Sequence, residues 1–156
     1  MMLELMDERE TEALGAALWQ VLPEKCLVFL NGHLGAGKTT LVRGALRAAG
    51  FAGAVRSPTY SLVEEYDVAG RRVFHFDLYR LKDPEELEWI GIDDYLAQAA
   101  LCFIEWPEMG VGLLPGADLE LNLMTLNAGR SIEINVLATN IKNSIKLNWK
   151  NKDLLL

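Results

Sequence analysis

Residues 32–39 carry the side chains best suited to chemistry. They read Gly-His-Leu-Gly-Ala-Gly-Lys-Thr and fit the spacing G-x-x-x-x-G-K-[ST]. In this pattern the backbone N–H groups cradle phosphate oxygens, Lys38 places positive charge beside the outer phosphates, and Thr39 offers a hydroxyl to Mg²⁺. The alternative is a glycine-rich turn that contains Lys-Thr by coincidence. The apolar run 26–30 before the motif and the helical pattern after it favour a loop that binds a nucleoside triphosphate.

Hydrolysis also requires carboxylates near the metal and the attacking water. In residues 73–78 the aromatic side chains alternate with His75 and Asp77, which places Asp77 at the end of a strand on its polar face. A solvated strand end, or a partner for Arg80, would explain Asp77 equally well. Glu105 closes the apolar run 101–104, where a carboxylate is costly without a metal or a hydrogen-bonding partner.

Four other residues have a functional and a structural interpretation. Thr59, in Ser-Pro-Thr, is placed where a loop could sense the outer phosphate, although turn chemistry also explains this sequence. His75 is more typical of a satisfied buried histidine than of a ligand, and His33 of a variable loop side chain. Arg130, after a glycine, is a possible arginine finger or a turn residue.

The elements that must position these residues are short and alternate between strand and helix. Asp7 and Glu10 form a capping box that begins a helix ended by Pro23, and Asp83-Pro84 predicts the start of another helix, the third along the chain. The patterns also predict an edge strand at 2–6, strands at 26–30 and 101–106, a helix at 39–49, and hairpins at 60–78 and 119–137. For the tail after residue 139 we expect a terminal helix, from Ile141, Ile145 and Trp149, or a frayed end.

Composition limits the class of protein. The chain has 156 residues, so we expect one domain spanning 1–156, and its net charge of −7 argues against a broad basic face for nucleic acid. There is no apolar run of about 20 residues and no signal-peptide pattern at the start, so we expect a cytoplasmic protein. Cys26 and Cys102 lie in apolar runs and are interpreted as buried thiols.

Four motifs together resemble one family. GHLGAGKTTLVRG, VRSPTYSLVEEY, HFDLYRLKDPEELEWIGIDDYL and IEWPE occur in this order, and the resemblance to the TsaE (YjeE) family covers residues 7–137. It implies an α/β P-loop NTPase fold with a central mixed β-sheet flanked by helices. It also implies an Mg²⁺-dependent ATPase that acts with TsaD-like and TsaB-like subunits to make threonylcarbamoyladenosine beside the tRNA anticodon.

The resemblance also implies residue roles. Lys38, Asp77 and Glu105 would be catalytic, and Thr39, Asp77 and Glu105 would hold the metal. The residues implied in nucleotide binding are Thr11, Gly35, Ala36, Gly37, Lys38, Thr39, Thr40, Thr59 and Trp106. The family usually has Asp where this chain has His33, and the tail after Leu137 matches no family pattern.

Two other functions remain open from the sequence. A small-molecule kinase shares the phosphate loop, although the chain has no arginine-rich lid segment. A non-catalytic subunit could use ATP occupancy to control assembly. A GTPase is not favoured, because residues 151–154 read Asn-Lys-Asp-Leu and have leucine where the guanine-reading pattern N-K-x-D requires an acid. Because no arginine finger is evident, we expect slow turnover alone and stimulation by partners.

Overall fold

The computed structural model describes all residues, 1–156, and its main element is a seven-stranded mixed sheet. The strands lie in the order β1-β7-β6-β2-β5-β4-β3, and β4, β5, β2 and β6 are parallel to one another. The elements are β1 Met2–Leu5, α1 Glu8–Val21, β2 Cys26–Asn31, α2 Lys38–Ala48, β3 Val63–Val68, β4 Arg71–Asp77, α3 Glu85–Trp89, α4 Ile92–Ala97, β5 Ala100–Glu105, a 3₁₀ turn Pro107–Gly110, β6 Leu119–Thr125, β7 Arg130–Val136, β8 Lys146–Trp149 and β9 Lys152–Leu155.

The central strands are apolar because both of their faces are covered. All six residues of β5 are buried, as are most of β2, which explains their unbroken hydrophobic runs. The helices α1 and α2 pack on one face, over the larger core. The helices α3 and α4 cover part of the other face, over a smaller core around Phe76 and Ile104. Helices on both faces confirm the predicted α/β fold class.

Local signals determine the elements that lead into the phosphate loop. Asp7 Oδ1 accepts a hydrogen bond from the Glu10 N–H at 2.9 Å, and Glu10 Oε2 accepts one from the Met6 N–H at 2.8 Å. The first bond confirms Asp7 as the N-cap of α1, whereas Glu10 accepts from the residue before the N-cap and not from the Asp7 N–H that a capping box uses. A Cβ at Gly15 would overlap the backbone of α2 at Leu41, so this glycine allows the two helices to approach closely.

The predicted start of the third helix is displaced. Helix α3 begins at Glu85 with Pro84 before it, while Asp83 Oδ1 accepts a hydrogen bond from the Glu85 N–H at 3.0 Å. The helix therefore begins one residue later than predicted, and Asp83 lies two residues before its first residue instead of one. Helix α4 and the 3₁₀ turn were not predicted, since each is at most six residues long.

The prediction of a helix or a frayed end after residue 139 is wrong. Strands β8 and β9 form an antiparallel hairpin joined by Lys150 and Asn151, whose φ values of 50° and 62° suit a type I′ turn. The alternate side chains Ile145, Leu147 and Trp149 are buried in the main core and pack the hairpin near α1. A strand period of two therefore describes this segment better than a helical period.

No helix in the chain is both long enough and apolar enough to cross a membrane.

Candidate active site

A cleft of about 560 Å³ opens where the parallel strands end and α2 begins. Ligands of open α/β sheets commonly bind outside the carboxyl ends of the strands, where neighbouring connections diverge. The cleft is lined by Glu8, Leu34, Gly35, Ala36, Gly37, Lys38, Thr39, Thr40, Ser57, Thr59, Asp77, Tyr79, Arg80, Glu105, Trp106 and Arg130. Most of these side chains are polar, which suits a charged ligand.

The phosphate loop connects β2 to α2. Gly37 has φ 108° and directly precedes Lys38, the first residue of the eleven-residue helix α2. The first backbone N–H groups of a helix have no intrahelical acceptor, so this end of α2 faces the cleft with free donors and a positive partial charge. The loop therefore provides the geometry that phosphate oxygens require.

The partners that hold the Lys38 ammonium at the loop are uncharged. Its Nζ donates to the carbonyl oxygens of Gly32 and His33, the second at 3.0 Å, and lies 4.4 Å from the centre of the Trp106 ring. Burial lowers the pKa of Lys38, while the nearby carboxylates of Glu105 and Asp77 oppose that shift. A phosphate group would be a stronger partner for this ammonium than carbonyl dipoles and a ring face.

Two buried carboxylates meet opposite the loop. Asp77 and Glu105 are paired across β4 and β5, and they are only 5% and 3% exposed. Thr39 Oγ1 donates to Glu105 at 3.1 Å, and Thr59 Oγ1 lies 3.3 Å from Asp77 Oδ2. Ser57 Oγ lies within hydrogen-bonding distance of both acids. Hydroxyl groups thus compensate two charges that would otherwise be costly to bury.

The chemistry of these donors fits Mg²⁺. The side chains of Thr39, Asp77 and Glu105 offer hard oxygen ligands, which Mg²⁺ prefers. The chain has no group of three or more His, Cys, Asp and Glu residues that could enclose a metal ion. Mg²⁺ commonly binds through one or two carboxylates while keeping water and substrate phosphates, so this incomplete set is the expected one.

The sequence model of the family described as threonylcarbamoyl adenosine biosynthesis protein TsaE matches residues 5–132. The chain belongs to the TsaE family. A relative from Haemophilus influenzae, named tRNA threonylcarbamoyladenosine biosynthesis protein TsaE, is 60% identical over 97 residues, which are 62% of this chain and 61% of that protein. A relative of the same name from Rickettsia felis is 39% identical over 132 residues, covering 83% of this chain and 75% of its own length.

The fold is shared with a solved structure. The crystal structure of YdiB from Bacillus subtilis matches with a TM-score of 0.76 and 23% identity, covering 90% of this chain and 87% of that chain. At this identity the likeness establishes the fold alone. The β8–β9 hairpin lies beyond the region that the TsaE family model matches.

The structure brings together all but one of the TsaE residues predicted for the site. The cleft includes Gly35, Ala36, Gly37, Lys38, Thr39, Thr40, Thr59, Asp77, Glu105 and Trp106. Thr11 does not line it: the residue is fully buried in α1, and its Oγ1 donates to the Asp7 carbonyl oxygen at 3.2 Å. Thr11 lies on the face of α1 that packs into the protein, so its predicted nucleotide contact is not supported by this geometry.

The structural alternatives for Asp77 do not hold. Asp77 is buried rather than solvated, and Arg80 stacks its guanidinium 4.8 Å from the centre of the Tyr60 ring. Besides the hydroxyl contacts, Asp77 Oδ1 accepts a hydrogen bond from the Tyr79 N–H at 2.9 Å. The strand face that carries His75 and Asp77 is therefore an interior face, not a solvent face as its alternating polarity suggested.

Several site residues were not predicted as such. Ser57 bridges the two acids, and Tyr79 packs its ring 4.9 Å from that of Trp106. Arg130, which the sequence left as either a finger or a turn residue, donates from Nη1 to the Ala36 carbonyl oxygen at 3.0 Å. The only local signal for Ser57 was its place in Ser-Pro-Thr, beside the predicted Thr59.

Proposed function

We propose that this chain is an Mg²⁺-dependent ATPase subunit in the biosynthesis of threonylcarbamoyladenosine in tRNA, working with TsaD-like and TsaB-like subunits. The observation that carries the proposal is the hydrogen bond from Thr39 Oγ1 to Glu105, at 3.1 Å. It joins the threonine hydroxyl that is predicted to bind the metal, at the start of α2, to a buried carboxylate 66 residues further along the chain. The names of the family and of its relatives support the place of the chain in this biosynthesis.

Binding is assigned to α2 and its loop. The free N–H groups at the start of α2 and the ammonium of Lys38 hold the β- and γ-phosphates of ATP. For this, Lys38 exchanges the carbonyl oxygens of Gly32 and His33 for phosphate oxygens. Trp106, which lies beneath the ammonium, keeps that charge at the mouth of the loop.

The acids are assigned to the metal and to water. Mg²⁺, when bound, neutralises the charge that develops on the phosphate oxygens. Thr39 and Glu105 would hold it directly, and Asp77 would hold it or its water ligands. Glu105 also orients the attacking water, because a buried carboxylate with free lone pairs accepts a hydrogen bond strongly.

Both arginines that line the cleft already contact other residues of the chain. Arg130 bonds to the phosphate loop from Nη1, and Arg80 stacks on Tyr60. An arginine free to reach the transferred phosphate can raise the rate by about 10³ to 10⁵. We therefore propose slow hydrolysis by the isolated chain and faster hydrolysis in the complex with its partners.

Calorimetry with ATP and Mg²⁺ tests the binding step. The wild-type chain should release or absorb heat at a single site, and Lys38→Ala should remove the signal. Turnover is then measured with γ-labelled ATP, alone and with the partner subunits present. Label found in inorganic phosphate supports an ATPase, whereas label transferred to an acceptor molecule supports a kinase.

A matched pair of variants tests catalysis. Glu105→Gln removes the buried charge but keeps the shape of the side chain, and Glu108→Gln makes the same change at an exposed position three residues later. Glu105→Gln should bind the partners but lose tRNA modification, while Glu108→Gln should keep both. Full modification by Glu105→Gln would instead indicate a subunit that senses ATP without hydrolysing it.

A further inference from the structure

His75 lies behind Glu105 and takes no part in the steps assigned above. Its side chain is fully buried and does not line the cleft. Nε2 of the ring lies 3.0 Å from Oε2 of Glu105. Because an ionised carboxylate can only accept, the ring donates this hydrogen bond from Nε2.

The register of the sheet makes this contact possible. His75 is paired with Phe103 and Asp77 with Glu105, so His75 lies diagonally opposite Glu105 on the same face of β4 and β5. Diagonal neighbours in a sheet are within reach of long side chains. The contact therefore follows from strand pairing and does not depend on a loop.

The other partners of Glu105 lie at the cleft. Thr39 Oγ1 and Ser57 Oγ each lie 3.1 Å from an oxygen of Glu105, and both residues line the cleft. A nucleotide or metal that enters the cleft can reach these hydroxyls and displace them. It cannot reach the imidazole, which is enclosed by the sheet and the main core.

The second nitrogen of the ring is left without a partner. Nδ1 of His75 is buried and makes no hydrogen bond. Buried polar atoms in folded proteins are nearly always paired, and an exception calls for an explanation. A histidine that served only to satisfy the core would use both nitrogens, whereas this ring makes its single bond to Glu105.

We propose that His75 is a positioning residue that fixes Oε2 of Glu105 while the hydroxyls of Thr39 and Ser57 change partners. The carboxylate then keeps one orientation toward the metal and the water throughout the reaction. This inference rests on the role of Glu105 in the proposed function.

The test compares a variant that keeps the donor with one that removes it. His75→Gln places an amide N–H near the position of Nε2, and His75→Leu offers no donor. His75→Leu should lower kcat/KM by about 10- to 100-fold, as loss of a residue behind a metal ligand commonly does. His75→Gln should recover most of that loss.

A binding measurement separates positioning from general damage. We expect His75→Leu to weaken ADP binding in the presence of Mg²⁺ and to leave metal-free ADP binding unaltered. Val73→Ala, a buried change on the same strand that does not contact Glu105, should lower the melting temperature without altering the effect of Mg²⁺. In a Glu105→Gln background, His75→Leu should add no further loss.

The outcomes are distinguishable. If the wild-type chain binds no nucleotide with Mg²⁺, the proposed function fails. If the wild type binds and hydrolyses ATP but His75→Leu and His75→Gln behave alike, only the positioning role is overturned. Should His75→Leu not fold, His75→Asn gives the same comparison, since its shorter amide ends near Nδ1 and cannot reach Glu105.

Discussion

Replacing Gly37 by alanine tests the geometry of the phosphate loop. Gly37 has φ 108°, in a region that L-residues rarely adopt, and a Cβ there would overlap Nη1 of Arg130. Gly50, after the end of α2, has φ 98° and nothing within 4 Å of an added Cβ. Gly50→Ala therefore introduces similar backbone strain without the steric overlap and outside the cleft, and it serves as the matched control.

The expected losses of stability follow from the surroundings of Gly37 and Gly50. Left-handed backbone costs an L-residue about 1–2 kcal/mol, which is the full expected loss for Gly50→Ala. Gly37→Ala must also displace the guanidinium of Arg130 from the Ala36 carbonyl oxygen, and a net hydrogen bond contributes about 1 kcal/mol more. At roughly 2–4 °C per kcal/mol for a chain of this size, Gly37→Ala should melt roughly 4–12 °C below the wild type.

Thermal melts and calorimetry with ATP and Mg²⁺ provide the assay. Gly50→Ala should show the smaller melting shift and bind ATP as the wild type does. Gly37→Ala should bind ATP at least about tenfold more weakly, since a shift of this residue moves the N–H groups that hold phosphate. Equal effects of the two substitutions on both melting temperature and binding would refute the assignment of Gly37 to a phosphate cradle.

Three further predictions concern other parts of the chain. Arg130→Met removes the brace on the phosphate loop and should weaken ATP binding about fivefold in calorimetry, the equivalent of about 1 kcal/mol, whereas unaltered binding would show that the brace is dispensable. Burial raises the pKa of Cys26 and Cys102 from 9.0 to about 12, so iodoacetamide should alkylate them about 10³-fold more slowly in the folded chain than in urea. Because these thiols bind their protons more tightly in the folded state, their contribution to the free energy of unfolding is fully present below pH 9 and should be lost as the pH rises toward 12. Trp149→Ala should cost about 3 kcal/mol in urea melts because it empties part of the core beneath the terminal hairpin, and Trp89→Ala, at a residue 77% exposed, should change stability by under about 0.5 kcal/mol.

The elements around the cleft could be predicted because each has a local signal. Asp7 and Glu10 cap α1 through contacts within four residues, and apolar runs predict the buried strands β2 and β5. The glycine-lysine spacing predicts the phosphate loop because the loop's conformation is set by the residues within it. Such features depend little on the rest of the fold.

The terminal hairpin was missed because its pattern fits two periods. Ile145 and Trp149 are four residues apart, and this spacing places them on one face of a helix and also on one face of a strand. Leu147 decides between the two, since a helix would turn it away from them and a strand aligns it with them. Leu147 is fully buried, and the positive φ values of Lys150 and Asn151 complete the hairpin.

The side chains that hold Asp77 and Glu105 in place could not be predicted, because their contacts depend on strand register and on tertiary structure. The diagonal pair of His75 and Glu105 exists only because β4 and β5 are parallel with Asp77 opposite Glu105, and no local pattern specifies that alignment. Ser57 reaches the acids from a loop, across 20 and 48 residues. The sequence thus identifies the residues that contact a ligand, because their chemical type indicates that role. The residues that hold those side chains in place are identified only from tertiary contacts. A shift of β4 by one residue would move His75 to the other face, away from Glu105, while leaving every motif in the sequence intact.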